Sequence, residues 1–328
     1  MSASQAPLSP ATQELGGAEA AQLKQHLQRG DLSGLRRLLA HTNEQRDWQD
    51  RYFMLDLLAP FILSPSLETA LASEPNAADL MLLRGVLYFD LLSKARGVKT
   101  ADKVTEQQVQ SAAQHIKTTV ADLRRAMQLN PQDPTPYVFT MRSLQVFSEH
   151  QQYAQETYQK AVQLVPDFLP AHWARINSRS EKWGGSHAES LQLARSVAAA
   201  AKPGSDTPAC LFYAHLLVWQ FAKAFDKNEK RAATYLKDRA IQQELTTAFD
   251  RWMQPPYQPR RSSVLYLQHA AHWFYRVEDR ERLARALTHC NGAFFSSAWS
   301  FGGGARQAYA EAVALAAKKK GILGWLKS

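Results

Sequence analysis

The sequence predicts an all-α chain made of helical hairpins in tandem, on three observations. Ala, Leu, Gln, Arg and Lys, which form helices readily, dominate the composition, and Val and Ile rarely alternate with polar residues as strands require. Apolar residues recur instead at helical spacing in one segment after another. Finally, a helix-ending element repeats. Residues 126–131 read Ala-Met-Gln-Leu-Asn-Pro, and residues 161–166, 35 positions on, read Ala-Val-Gln-Leu-Val-Pro. With 328 residues, 45% of them apolar, and with eight Trp and fourteen Phe, the chain has the side chains for a continuous core, which excludes global disorder.

Residues 1–18 are rich in Ser, Ala and Pro, lack the apolar stretch of a signal peptide and read as a flexible leader. Residues 19–80 form an N-terminal helical segment. In it, a helix around Leu23 ends at Gly30, Asp31 caps the next through Leu35, Leu38 and Leu39, and a longer amphipathic stretch runs from about Glu44 to Phe61 before Pro65. Residues 81–317 form the repeat domain. It opens with a helix apolar on most sides (Leu80 to Leu92), so that helix is buried on most sides. Thr105 with Gln108 makes a capping box for a helix reaching about Leu129.

After the 35-residue pair, Trp183, Gly184 and Gly185 break the pattern, and Ser186 with Glu189 makes a second capping box. Pro203 and Gly204 end that helix. Further helices are predicted over 208–225, 229–253, 262–277 and 279–290, and a last one to about Lys319 after the Gly302–Gly304 loop. Residues 318–328 form a basic C-terminal tail.

A period near 34 residues is that of the tetratricopeptide (TPR) repeat, so the expected architecture is a TPR-like helical-hairpin array of α-solenoid type. Ala154, Tyr158, Ala161 and Pro166 fit the second half of such a repeat. Small residues let helices approach, the aromatic fills the gap between hairpins and the proline stops the helix. The earlier copy has Leu123 where the aromatic would sit, and the Trp, Gly and Tyr usual in a TPR first helix are absent.

From about residue 80 to 315 the chain resembles a bacterial family of TPR-like proteins known only as a domain of unknown function. The resemblance is carried by Pro170-Ala171-His172-Trp173, by Lys182-Trp183-Gly184-Gly185-Ser186-His187 and Leu193-Ala194-Arg195, and by Ser300-Phe301-Gly302-Gly303. It implies a helical scaffold with a Trp-Gly-Gly-Ser turn between two helices, and it implies no activity.

No motif points to catalysis. There is no Gly-x-Ser-x-Gly elbow, no Walker motif, no His-Glu-x-x-His and no Cys-x-x-Cys. His269, His272, His289 and Cys290 group as possible metal ligands but lack a recognised ligand spacing, and His215 reads as a hydrogen-bonded core histidine. Adjacent helix residues diverge by about 100°, so His289 and Cys290 form no catalytic pair. Gly302–Gly304 with Arg306 could cradle an anion, but a loop between helices explains it. Trp183, Gly184, Gly185 and Ser186 likewise have structural tasks: packing, turning and capping. The expectation is therefore no catalytic residue, no metal and no cofactor.

The formal charge of +9 is spread along the chain apart from the tail, which disfavours nucleic acid as a partner. Two cysteines cannot form a disulfide framework, and no apolar run approaches the length of a membrane span, so a cytoplasmic location is expected. The expected function is a non-catalytic scaffold that binds a protein or peptide in the groove lined by the first helix of each hairpin. Phe139, Ser143, Phe147, Ser178 and Lys182 face inward in that register. Two alternatives stand beside it. One is a secretion-, toxin- or effector-associated accessory protein with one dedicated partner. The other is a peripheral adaptor whose tail, Lys318–Lys320 with Trp325, makes weak contact with an anionic membrane surface.

Overall fold

The computed structural model of the chain describes residues 15–97, 104–145, 151–255, 257–301 and 304–318. Among them the structure is all-helical, with no extended strand. Residues 1–14 of the expected leader, Phe147, Gly302, Gly303 and the tail beyond Lys318 lie outside the described residues, while the leader's last two residues, Gly17 and Ala18, belong to the first helix. The chain divides into two compact units, one over Gly16–Ala201 and one holding Lys202 onward. The division falls beside the Pro203-Gly204 turn, inside the stretch expected to be one repeat domain.

The N-terminal unit opens with α1 (Gly17–Gln28), α2 (Ser33–Glu44), α3 (Trp48–Leu58) and α4 (Ser64–Ser73). Asp31 accepts from the Ser33 amide at 2.8 Å at the start of α2, as its position suggests. The stretch from Glu44 to Phe61 is not one helix. Arg46 adopts a left-handed conformation, and Asp47 then caps α3 through the Asp50 amide at 3.2 Å.

Three hairpins follow: α5 (Ala78–Arg96) with α6 (Glu106–Leu129), α7 (Thr135–Leu144) with α8 (Gln151–Leu164), and α9 (Leu169–Ser178) with α10 (His187–Ala199). Thr105 and Gln108 make both arms of the capping box at the start of α6. Gly85 lets α5 and α6 meet closely, since a Cβ there would stand 2.7 Å from a Leu123 methyl. Tyr158 bonds His172 Nδ1 at 2.9 Å, and His172 Nε2 pairs with the Pro166 carbonyl at 2.9 Å, which ties α8 to the start of α9. Within this unit α7 packs on both α5 and α9, so the first helices of the hairpins form one row.

That row is covered by α3, which packs on α5, α7 and α9. Tyr52 meets the ring of Phe139 at 5.1 Å and of Phe168 at 6.2 Å. Arg142 on α7 donates to both Tyr52 Oη and Asp56 at 2.5 Å and lies over the Phe89 ring at 4.7 Å. Arg51 is 1% exposed. It donates to Asp133 at 2.8 Å, to Asp79 at 2.6 Å and to the Leu39 carbonyl at 2.6 Å. The register that turns Phe139 and Ser143 toward the inner face is therefore filled from within the chain. Both residues are buried, and Ser143 donates to the Phe139 carbonyl at 2.7 Å.

The C-terminal unit holds α11 (Ala209–Gln220), continued by a π-helical turn over Phe221–Phe225, then α12 (Glu229–Leu236), α13 (Arg239–Trp252), α14 (Ser263–Arg276), α15 (Arg280–Cys290), α16 (Ser296–Trp299) and α17 (Ala305–Ala317). The helix expected over 229–253 is broken, because Asp238 accepts from the Ala240 and Ile241 amides and starts α13 afresh. Phe212, Phe249, Trp252 and Phe274 form one aromatic cluster, with Phe249 and Phe274 centred 4.9 Å apart. Buried Gln268 is engaged at both ends of its amide. It donates to the Ala293 carbonyl and accepts from the Phe295 amide and the Trp299 indole. No single helix among the described residues is long and apolar enough to cross a membrane.

Candidate functional site

The end of α9 and the turn after it carry most of the residues singled out in the sequence. Arg179 caps α9 by donating its amide to the Arg175 carbonyl at 3.1 Å. The chain then tightens into a 3₁₀ turn over Glu181–Trp183, where the Ser180 carbonyl accepts from both Trp183 (2.9 Å) and Gly185 (3.2 Å). Gly184 has φ of 80°, the left-handed region that favours glycine. Gly185 is required by space, because a Cβ there would sit 2.1 Å from the Arg179 carbonyl oxygen. Ser186 Oγ accepts from the Glu189 amide at 3.2 Å and starts α10. The other arm of that capping box is not made, and the Glu189 carboxylate stands 3.9 Å from the Arg179 guanidinium.

This turn closes one side of a cavity of about 540 Å³ lined by Gln152 and Gln155 of α8, Arg175, Ser178 and Arg179, Trp183, Gly184 and Gly185, and Glu189. Arg175 is 3% exposed. Its Nε has no hydrogen-bond partner, its Nη1 reaches Ser178 Oγ only at 3.5 Å, and no carboxylate among the described residues is in ion-pair contact with it. Trp183 Nε1 is likewise buried without an acceptor. Two further cations stand over the Trp183 ring, Arg96 at 5.2 Å and Lys182 at 5.4 Å.

The electrostatics of these cations agree in sign. Burial holds Arg175 below the ordinary arginine value, and the nearby charge of Arg179 lowers it further. Lys182 is lowered by burial and by Arg96, and Arg96 by burial. Among the described residues of the lining Glu189 is the single acidic one, against the two cations Arg175 and Arg179.

Of the expected partner-binding residues, the structure thus brings Ser178 to the cavity with Trp183, Gly184 and Gly185, and sets Lys182 beside it on the turn. Phe139 and Ser143 lie beneath α3 instead. Gln152, Gln155, Arg175, Arg179 and Glu189 were not singled out by sequence. The available signal was Arg175, Ser178 and Arg179 at i, i+3 and i+4, which share one helix face.

A second cavity of about 560 Å³ in the C-terminal unit is differently built, since Arg276, Arg280 and Lys318 there face Glu278 and Glu311 and no unpartnered buried donor lines it. The histidines weighed as metal ligands are engaged elsewhere. His269 Nδ1 pairs with the Leu265 carbonyl, and His272 lies between the Ala298 carbonyl and Arg276 Nε. His215 pairs with Tyr235 Oη at 2.7 Å and stands 3.3 Å from Glu244. Among the described residues no three His, Cys, Asp or Glu are grouped to hold a metal ion. Compared with known protein families, curated proteins and solved structures, the chain matches none.

Proposed function

We propose that this chain is a TPR-like helical-hairpin array of the kind its Trp-Gly-Gly-Ser turn resembles, and that it acts as a non-catalytic scaffold for a protein or peptide partner. The stacking of α5/α6, α7/α8 and α9/α10, with first helices in a row, supports the array. That row holds a helix of the same chain, α3, so the inner face stabilises the scaffold and the partner is met elsewhere. The observation that carries the reading is the cavity at the turn after α9. Arg51, the most buried arginine of the unit, is tied to two carboxylates and a carbonyl, whereas at the cavity Arg175 Nε and Trp183 Nε1 are buried without an acceptor among the described residues.

The test compares affinity capture from the native lysate, read by mass spectrometry, for the wild type, Arg179→Glu at the cavity and the control Arg124→Glu on the exposed side of α6. Both substitutions are at solvent-reached positions and leave the helical circular dichroism unchanged. A protein held by the wild type and by Arg124→Glu but lost from Arg179→Glu is the expected result. The same proteins held by all three would overturn the reading.

A further inference from the structure

We propose that the cavity between α8, the end of α9 and the Trp183-Gly184-Gly185 turn is a binding site for one oxyanion, a carboxylate or a phosphate group. This deepens the scaffold reading by naming the chemistry of the group that enters the cavity.

Buried donors almost always have an acceptor, and one left without it carries its full desolvation cost. Here two donors on lining residues lack one, Arg175 Nε and Trp183 Nε1. They come from different segments, the helix and the turn after it, and the residues that carry them line one cavity. An acceptor in that space can satisfy both.

Charge then selects the kind of acceptor. Arg175 cannot shed its proton, so burial at 3% exposure calls for a negative partner, and none among the described residues touches it. Arg179 has Glu189 only at 3.9 Å, the edge of an ion pair. A guanidinium offers two parallel N–H bonds, which a carboxylate or phosphate accepts side by side. Gln152 and Gln155 add amide donors to the lining. Ser178 Oγ donates to the Arg175 carbonyl at 3.0 Å, so it holds the helix end rather than the ligand. Among the described residues of the lining Glu189 is the one group that opposes an anion, and a cation would find it alone there, without the three or more acidic or imidazole ligands that a metal needs.

The turn is suited to this use. Gly184 and Gly185 present no side chains toward the opening, and nothing lies within 4 Å of where a Gly184 Cβ would be. Arg96 and Lys182 over the Trp183 ring fix the indole and add positive potential behind it.

The test uses the full-length chain labelled with nitrogen-15, with the Trp183 indole resonance assigned through Trp183→Phe. Sodium phosphate and sodium acetate are titrated at constant ionic strength against sodium chloride. The expected result is a saturable downfield movement of the Trp183 Nε1–H resonance with phosphate, with acetate or with both, and none with chloride. Movement with phosphate alone identifies a phosphate-bearing ligand, and movement with acetate a carboxylate. Arg175→Gln removes the charge and both forked donors and weakens the binding by about tenfold or more. Should that variant fail to fold, Arg179→Gln at a half-exposed position weakens it by a smaller factor. No saturable movement with either anion, equal movement in chloride, or binding undiminished in both arginine variants overturns the proposal. Loss of the anion with retained Arg179-dependent capture of a partner would leave the scaffold standing without it.

Discussion

Arg51 and Arg175 are two arginines of one helical unit, each almost entirely buried, and their surroundings are opposite. Arg51 has a carboxylate on Nε, another on Nη2 and a carbonyl on Nη1, from three different segments. Arg175 has an unpartnered Nε and one long contact to a serine. A buried charge that is fully paired holds a fold together, whereas one that is partly paired costs stability unless something outside the chain completes it. Arg51 is thus a fully paired tie and Arg175 an underpaired charge, and each can be probed by substitution.

The largest expected effect lies at the tie. Arg51→Met keeps the volume but strands Asp133, itself buried, and Asp79, so the N-terminal unit loses about 3–5 kcal/mol of unfolding free energy. Urea denaturation followed by circular dichroism measures it. A loss below about 1 kcal/mol would mean that Arg51 is a bystander and that α3 is held by its aromatic contacts alone.

A base can also be buried by giving up its proton, which arginine cannot do and histidine can. His272 donates Nδ1–H to the Ala298 carbonyl and accepts from Arg276 on Nε2, an arrangement only the neutral ring makes. Burial and then the Arg276 charge push it from 6.5 down to about 3, and burial pushes His269 down to about 4. Since the folded pKa values are depressed, between pH 6.5 and 4 the unfolded chain binds protons that the folded one refuses. Stability conferred by the neutral rings is complete above pH 6.5 and falls with acidification toward pH 4, by up to about 1.4 kcal/mol per pH unit for each histidine. The expected outcome for the C-terminal unit is a loss of roughly 3 kcal/mol per pH unit for the two together, reduced markedly in His272→Gln. A melting temperature flat from pH 7 to 5 would count against neutral burial.

What the sequence disclosed follows the range of the forces involved. The starts of α2, α6 and α10 were legible because Asp31, Thr105 and Ser186 act on amides two or three residues away. The break at Asp238 was missed because helix formers lie on both sides of it. The cover of the inner face by α3 was not legible, since Arg51 reaches Asp133 across 82 residues and Arg142 reaches Tyr52 across 90. Periodicity turned Phe139 toward the row of first helices but could not say that α3 would lie against it. At the cavity, the Trp-Gly-Gly turn stood out by composition, while the missing acceptors of Arg175 and Trp183 are a property of three-dimensional space. Only the i, i+3, i+4 spacing of Arg175, Ser178 and Arg179 hinted at a shared face.

The smallest expected effect is the one that decides what Arg175 is. If it were another tie like Arg51, Arg175→Met would destabilise by a similar amount. If it is underpaired, methionine removes a buried charge that lacks a partner and fills its volume, so unfolding free energy stays level or rises by up to about 1 kcal/mol in chloride buffer. A ligand that binds only the folded state stabilises it by RT ln(1 + [L]/Kd). Adding the anion that moves the Trp183 resonance should therefore raise the wild-type melting temperature and leave Arg175→Met where it was. A variant less stable than wild type in chloride, and equally responsive to the anion, would make Arg175 structural and place the anion elsewhere. A variant that gains in chloride and loses the response would show that the chain keeps the arginine at a cost to its own stability for the sake of what enters the cavity.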